Sequence, residues 1–242
     1  MNLAIDIGNT LIKVGLFQQD EIAEVIRFDN EAQLLQLIKE KKPSNIIIST
    51  VRNNSEQILP HIPAETNAIL LSNKTPLPVS NGYNTPETLG TDRISSIVGA
   101  FSLFPNTNCL VIDIGTCIKC DIIDLNNTYL GGSISPGIKM RFQSLSHYTS
   151  KLPLVEFEKT DFLNGKSTKE SILSGVINGA VFEIEGFIGA YSKIFSQLNV
   201  IITGGDSYCF ESRIKPHIFV VPDLVLLGLH KILLHNLSIT SA

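Results

Sequence analysis

Residues 2–13, NLAIDIGNTLIK, and residues 109–119, CLVIDIGTCIK, are two copies of one pattern. Leu3, Ile5, Asp6, Ile7 and Gly8 recur at constant spacing as Leu110, Ile112, Asp113, Ile114 and Gly115, and with Asn9 skipped, Thr10, Ile12 and Lys13 align with Thr116, Ile118 and Lys119. Each copy reads as a buried strand ending in an acid, then a tight turn with glycine and a hydroxyl, then a returning strand. The elements that follow agree as well. The first copy runs on into EIAEVIRF and a helix, EAQLLQLIKEKK, capped by Asp29 or Asn30 and ended by Pro43. The second passes an Asn126-Asn127 turn into TYLGGSI and a helical pattern from about Pro136 to His147. Agreement in residues and in element order points to a duplicated domain.

Between and after the copies the chain alternates strands and helices. NIIIST, a short helix, AILLS and a polar loop from Ser72 to Leu89 lead to the helix ISSIVGAF. Thr168 to Gln197 carries a long helical pattern, followed by the strand NVIIT, Gly204-Gly205, a short helix, the strand HIFVV and a leucine-rich helix. We expect two halves, 1–105 and 106–242. Ile172, Gly175, Val176, Gly179, Ala180 and Phe187 fall near one side of the long helix, and the small residues Gly175, Gly179 and Ala180 predict close approach of another helix, in a dimer or an interdomain contact.

The 242 residues are 43% hydrophobic and 17% charged, enough to bury a full core without disulfides. Nineteen basic against 23 acidic side chains, with no basic cluster beyond Lys39, Lys41 and Lys42, argue against sequence-independent nucleic-acid binding. MNLAIDIGNT lacks the basic start of a signal peptide, and no uninterrupted apolar run reaches the length of a membrane span, Pro222 and Asp223 breaking the longest candidate. A cytoplasmic protein with no membrane partner is expected. Cys117 and Cys120 lie three apart on a strand and so face opposite sides, which makes them inert thiols rather than a chelating pair. His61, His147, His217, His230 and His235 show no zinc spacing and read as surface or packing residues.

A strand-end acid beside a turn rich in N–H groups and a hydroxyl suits phosphate binding, with the carboxylate holding a cation or its water shell. Asp6 with Thr10, and Asp113 with Thr116, could supply one such hairpin each, with Lys13 set to reach a phosphate; the alternatives are that each Asp merely accepts turn N–H bonds and that Lys13 is a surface strand lysine. Gly165-Lys166-Ser167 imitates the end of a P-loop, but Thr160 stands where that motif needs glycine. At Gly90 to Arg93, Asp92 can be a helix cap or a catalytic base, while Arg93 is a natural clamp for a carboxylate or phosphate.

DIGNTLIK, the stretch from Tyr83 to GTDR, DIGT at Asp113, GGSISPG at 131–137, KLP at 151–153, TKESILSG at 168–175 and ITGGD at 202–206 together resemble the ordered motif set of type III pantothenate kinases. That family belongs to the sugar kinase, Hsp70 and actin superfamily. The resemblance implies an α/β fold of duplicated ribonuclease H-like (actin-like ATPase) domains, with mixed β-sheets flanked by helices. It implies ATP-dependent phosphorylation of pantothenate at its primary hydroxyl, the first step toward coenzyme A. The enzyme would be a homodimer using Mg2+ or another divalent cation and a monovalent cation, K+ or NH4+. By motif position it implies that Asp6, Gly8, Asn9, Thr10, Lys13 and Thr116 hold ATP, that Asp113 holds the monovalent cation, and that Asp92 is the general base. Tyr83, Gly90, Thr91, Asp92, Arg93 and Thr168 would contact pantothenate, Thr168 from the other subunit. One departure stands out: where the family usually has a small residue and then Thr after the second DxGT, this chain has Cys117, Ile118 and Lys119, which puts Lys119 where it can stand in for the cation. Two other readings are a superfamily kinase for another small alcohol and a non-catalytic regulator; intact Asp6, Asp92, Arg93 and Asp113 argue against the regulator.

Overall fold

The computed structural model describes residues 1–52, 58–210, 213–214 and 218–240. They form two compact units, the first from 1–106, 126–130 and 223–242, the second from 107–125 and 131–222.

In the first unit, strands β1 (Asn2–Ile7), β2 (Ile12–Gln18), β3 (Glu21–Phe28), β4 (Asn45–Thr50) and β5 (Asn67–Leu70) make one mixed sheet in the order β3-β2-β1-β4-β5. The hairpin pairs β1 and β2 are antiparallel, and β4 and β5 add parallel to β1. Helix α1 (Glu31–Lys41) starts where Asn30 Oδ1 accepts the Gln33 N–H at 3.1 Å, and it stops at Lys42, whose φ of 45° is left-handed. Its Leu34 and Ile38 are buried against Leu3, Ile5 and Ile48 of the sheet. Of the short helix expected after NIIIST, residues 53–57 lie outside the described residues; Leu59–His61 form a 3-10 turn. The polar loop contains a two-residue strand, β6 (Ser80–Asn81), before α2 (Thr91–Leu103).

The second unit repeats the design. Strands β7 (Asn108–Ile114), β8 (Cys117–Ile123), β9 (Thr128–Pro136), β10 (Leu198–Thr203) and β11 (Ile218–Val220) run, with β6 added at the β9 edge, in the six-stranded order β11-β10-β7-β8-β9-β6, and read from β9 to β11 the five repeat the first sheet's order. Again the hairpin strand is antiparallel to the central one and the later strands are parallel. β9 starts at Thr128 and Tyr129, grouped with the first unit, where β6 pairs with them in parallel. Helices α3 (Ile138–His147) and α4 (Thr168–Ile194) cover Leu110, Ile112 and Ile202 with Phe142, Ile172, Val176, Ile184 and Ile188.

Three sequence expectations need restating. The leucine-rich helix α5 (Leu224–Thr240), expected with the second half, belongs to the first unit, where Leu226 lies close to Gly15. Ala180 is fully buried, whereas Gly175 is exposed and Gly179 is partly so, so the three small residues do not share a face. Though broken by charges, α4 is long and apolar enough in its 27 residues to cross a membrane, but half of that window is buried inside the protein, as a core helix requires. All four cysteines are free; burial pushes the Cys120 thiol up to about 12, which keeps it inert. His217 lies outside the described residues.

His230 of α5 stacks on Phe17 at 3.9 Å and receives a bond from Asn2 Nδ2, whose own Oδ1 accepts from Asn45. Accepting through Nε2 requires the neutral ring, and burial lowers its pKa from 6.5 to about 4. The folded state therefore binds this proton less readily than the unfolded chain. Stability is full above about pH 6.5 and falls by on the order of 2 kcal/mol as the pH drops toward 4. Thermal unfolding across that window should show the loss, and His230→Leu should flatten it; an equally steep fall in the variant would assign the sensitivity to other groups.

Candidate active site

The first unit gathers its chemistry at the carboxyl ends of β1 and β4, the edge where open α/β sheets bind ligands. Asp6 is the penultimate residue of β1 and stands in register opposite Lys13 on β2, so the two side chains leave the same face of the hairpin. The turn between them closes with Gly8 N–H donating to the Leu11 carbonyl at 3.0 Å, leaving Asn9 and Thr10 exposed at its tip. Arg52, just past β4, braces this turn: its Nε donates to the Gly8 carbonyl at 2.9 Å and its guanidinium lies 3.6 Å from Glu31. Sequence reasoning missed Arg52, because only the parallel pairing of β4 with β1 brings it to the turn.

Helix α2 starts at the same edge. Thr91 Oγ1 is 2.9 Å from Ser49 Oγ and donates to the Thr50 carbonyl at 3.2 Å, which docks the helix on the end of β4. Gly90 is the N-cap and offers no side chain; a Cβ there would lie 2.5 Å from Asp92 Oδ1. Asp92 is therefore not the cap residue. It sits half-buried at the second helical position, where the helix dipole favours its charge, and accepts the Arg93 N–H at 2.9 Å.

Arg93 is 5% exposed yet charged, and aromatic rings hold it. Its guanidinium carbon lies 5.4 Å from the Tyr83 ring centre and 6.0 Å from that of Tyr129, and the two rings stack at 5.9 Å. Tyr129 is fully buried, and Gly82 N–H donates to its carbonyl at 2.9 Å, fixing the loop that carries Tyr83. The sequence offered no sign of Tyr129's role, since it reads only as a strand aromatic.

In the second unit Gly115 N–H closes the matching turn on the Cys117 carbonyl at 3.1 Å, and Thr116 is exposed at the tip. The GGSISPG segment docks on it: Gly137 N–H donates to the Thr116 carbonyl, and a Cβ at Gly137 would lie 2.1 Å from the Gly115 carbonyl oxygen. ITGGD comes in from the other side, with Gly204 at φ 99° and the place of its missing Cβ 2.5 Å from Asp113 Oδ1. Only glycine combines that φ with that approach. Asp206 follows, its carboxyl pushed up first by burial and then by the charge of Asp113. Thr168 is exposed as the first residue of α4. It lines a cavity of about 930 Å3 with Arg141, Ser144, Lys166 and Gly175.

Asp113 does not face that turn alone. Lys119, opposite it in the β7–β8 register, holds Nζ 2.7 Å from Oδ2, with both side chains only 15% exposed. A potassium ion on the same carboxylate would sit beside this ammonium, and two unit charges 4 Å apart repel by about 4 kcal/mol at an effective dielectric of 20. The residues present therefore do not fit the monovalent cation expected at Asp113. A divalent cation is a different matter. Mg2+ keeps several waters and binds largely through substrate phosphates, so it does not call for a cage of protein ligands; among the described residues no cluster of three or more acids, histidines or cysteines able to hold a metal occurs.

Known proteins share both the fold and the sequence. The chain resembles a solved protein of Campylobacter jejuni named for the Baf family of transcriptional activators, at TM-score 0.65 and 24% identity over 98% of this chain and 99% of that one. It also resembles the activator of 2-hydroxyisocaproyl-CoA dehydratase from Clostridium difficile, solved with bound ADPNP, at TM-score 0.58 and 13% identity over 100% and 97% of the two chains. At these identities the likeness is one of fold, that of the duplicated actin-like ATPases. Sequence narrows it further. A type III pantothenate kinase of Cytophaga hutchinsonii is 45% identical over 236 residues, covering 98% of this chain and 100% of the relative, and the family model described as type III pantothenate kinase matches residues 2–190. With the DIGNT hairpin, GTDR at the start of α2 and the second DIGT hairpin in the places described, the chain belongs to the type III pantothenate kinase family.

Proposed function

We propose that this kinase transfers the γ-phosphoryl group of ATP to the primary hydroxyl of pantothenate with Asp92 as the general base. The observation that carries the assignment is the pairing at the start of α2. A half-buried carboxylate that is not the helix cap stands next to an arginine stacked on two tyrosines. An alcohol is a poor nucleophile until its proton leaves, and a carboxylate within reach can take that proton as the O–P bond forms. Arg93 then serves the other end of the substrate. Its ring-held guanidinium, lying over Tyr83, is a planar charge suited to the pantothenate carboxylate, and the neighbouring Gly90 and Thr91 complete the substrate assignment.

The two glycine-hydroxyl turns support the nucleotide reading. Asn9, Thr10 and Thr116 are exposed at the tips, with Lys13 on the same face as Asp6, as phosphate oxygens require. Bound Mg2+ supplies charge neutralisation at the transferred phosphoryl group. The chain's own part is to hold the phosphates still and keep Asp92 able to accept the proton.

A homodimer fits the outer face of α4. Gly175, Gly179, Gly186 and Gly189 have nothing beyond their chain neighbours and the backbone of their own helix within 4 Å of where a Cβ would stand, and Phe182 between them is 58% exposed. A second α4 could approach closely along this stripe, bringing Thr168 to the partner's site. Four free thiols and ATP as substrate fit the cytoplasm.

The test is direct. Purified protein given ATP, Mg2+ and pantothenate should form 4'-phosphopantothenate, identified by mass, and should sediment at twice the chain mass. Absence of the product across divalent cations would overturn the substrate assignment, and a monomer with full activity would overturn the dimer.

A further inference from the structure

We propose that the ammonium group of Lys119 is this kinase's built-in monovalent cation, so that the enzyme turns over without K+ or NH4+. The proposal rests on the kinase reading above and concerns the same second hairpin. Its ground is the duplication seen in the strand registers. Each hairpin sets a lysine directly across from its strand-end acid, Lys13 opposite Asp6 and Lys119 opposite Asp113. In the second copy the pair is closed at 2.7 Å and lies at 15% exposure on both sides, beside the tip residue Thr116 and the glycine approach at Gly204.

The chemistry of the substitution is simple. An ammonium and a potassium ion are close in size and carry one charge each, and both bind carboxylate oxygens. A diffusible ion must be captured from solution, whereas Lys119 is delivered by the register of β8. Asp206 follows Gly204 on the same loop, and its carboxyl sits close enough to feel the Asp113 charge. Without a cation the turn would present two neighbouring acids to an incoming polyphosphate. With Lys119 in place the approach of phosphate oxygens to Thr116 and the turn N–H groups meets a compensated field.

A structural ion pair would look the same in a static picture, so the experiment must separate the two. Turnover of the wild type is measured in choline chloride, KCl and NH4Cl at equal ionic strength, beside Lys119→Met, which keeps the side-chain length and removes the charge. The wild type is expected to differ by less than about twofold among the salts, and the variant to fall roughly tenfold to a hundredfold in choline chloride and recover in KCl or NH4Cl. A wild type that needs K+ overturns the proposal, and so does a variant equally impaired in all three salts, which would make the pair structural.

A second readout does not depend on catalysis. Thallous ion, followed by 205Tl NMR, should show no saturable broadening with the wild type and saturable, K+-competed broadening with Lys119→Met. Saturable binding to the wild type overturns the proposal even if the variant fails to fold. A wild type inactive in every salt would instead count against the kinase reading, while the thallium titration would still decide the role of Lys119.

Discussion

Asp92→Asn is expected to lower kcat for pantothenate phosphorylation by about a thousandfold, with the KM for pantothenate changed only a few-fold. Asparagine keeps the shape of the side chain, and its carbonyl oxygen can still accept the Arg93 N–H that Asp92 Oδ1 accepts at 2.9 Å. What disappears is the ability to take up a proton. Because Gly90 rather than Asp92 caps α2, the variant loses the favourable dipole contact but not the cap and should melt within a few degrees of the wild type. A large loss of rate without loss of stability would mark Asp92 as the base. Turnover within a few-fold of the wild type would reduce Asp92 to a favourable charge at a helix start and leave the proton acceptor to be found elsewhere.

The second large effect is structural. Gly228→Ala is expected to destabilise the first unit by about 3 kcal/mol or more. At Gly228 a Cβ would stand 1.7 Å from the Ser95 carbonyl oxygen and 2.7 Å from the Gly99 amide, both on the backbone of α2. Gly99 answers from the other side, its missing Cβ 2.4 Å from the Leu224 carbonyl oxygen. These two helices touch main chain to main chain, and a backbone cannot swing aside as a side chain can. α5 would have to lift from α2, opening a gap along Ile97, Leu229 and Ile232, all fully buried. Since α2 also carries Asp92 and Arg93 in its first turn, activity should fall with stability. Urea unfolding of the variant measures the first effect; an unchanged midpoint would mean that the helices can separate without cost.

What the sequence disclosed and what it hid follow from the range of the interactions. Alternating apolar residues, an acid at a strand end and a glycine turn are local, so the two hairpins and their shared element order were legible, and the five-strand order common to the two sheets agrees with them. Helix α1 was equally local, with Asn30 at one end and Lys42-Pro43 at the other. Tyr129 and Arg52 were hidden because their roles depend on pairings across many residues, β6 with β9 and β4 with β1. The misgrouping of Ala180 with Gly175 and Gly179 has a plainer cause. One residue is about 100° of helix rotation, so Gly179 and Ala180 cannot share an edge. The Lys119–Asp113 pair lay between these cases: the departure from the family pattern was visible, but the closed 2.7 Å contact needed the register of β8.

Helix α5 also says something about synthesis. The first unit draws on both ends of the described chain, and the second lies between them in sequence. As the polypeptide leaves the ribosome, strand β1 and helix α2 emerge early, yet α5, which covers them, is made after every other described element. The second unit can complete its sheet while the first still exposes the apolar faces of Ile97 and Val98. Until α5 is made, α2 stays uncovered, and an exposed apolar face on a nascent chain is where chaperones bind and aggregation starts.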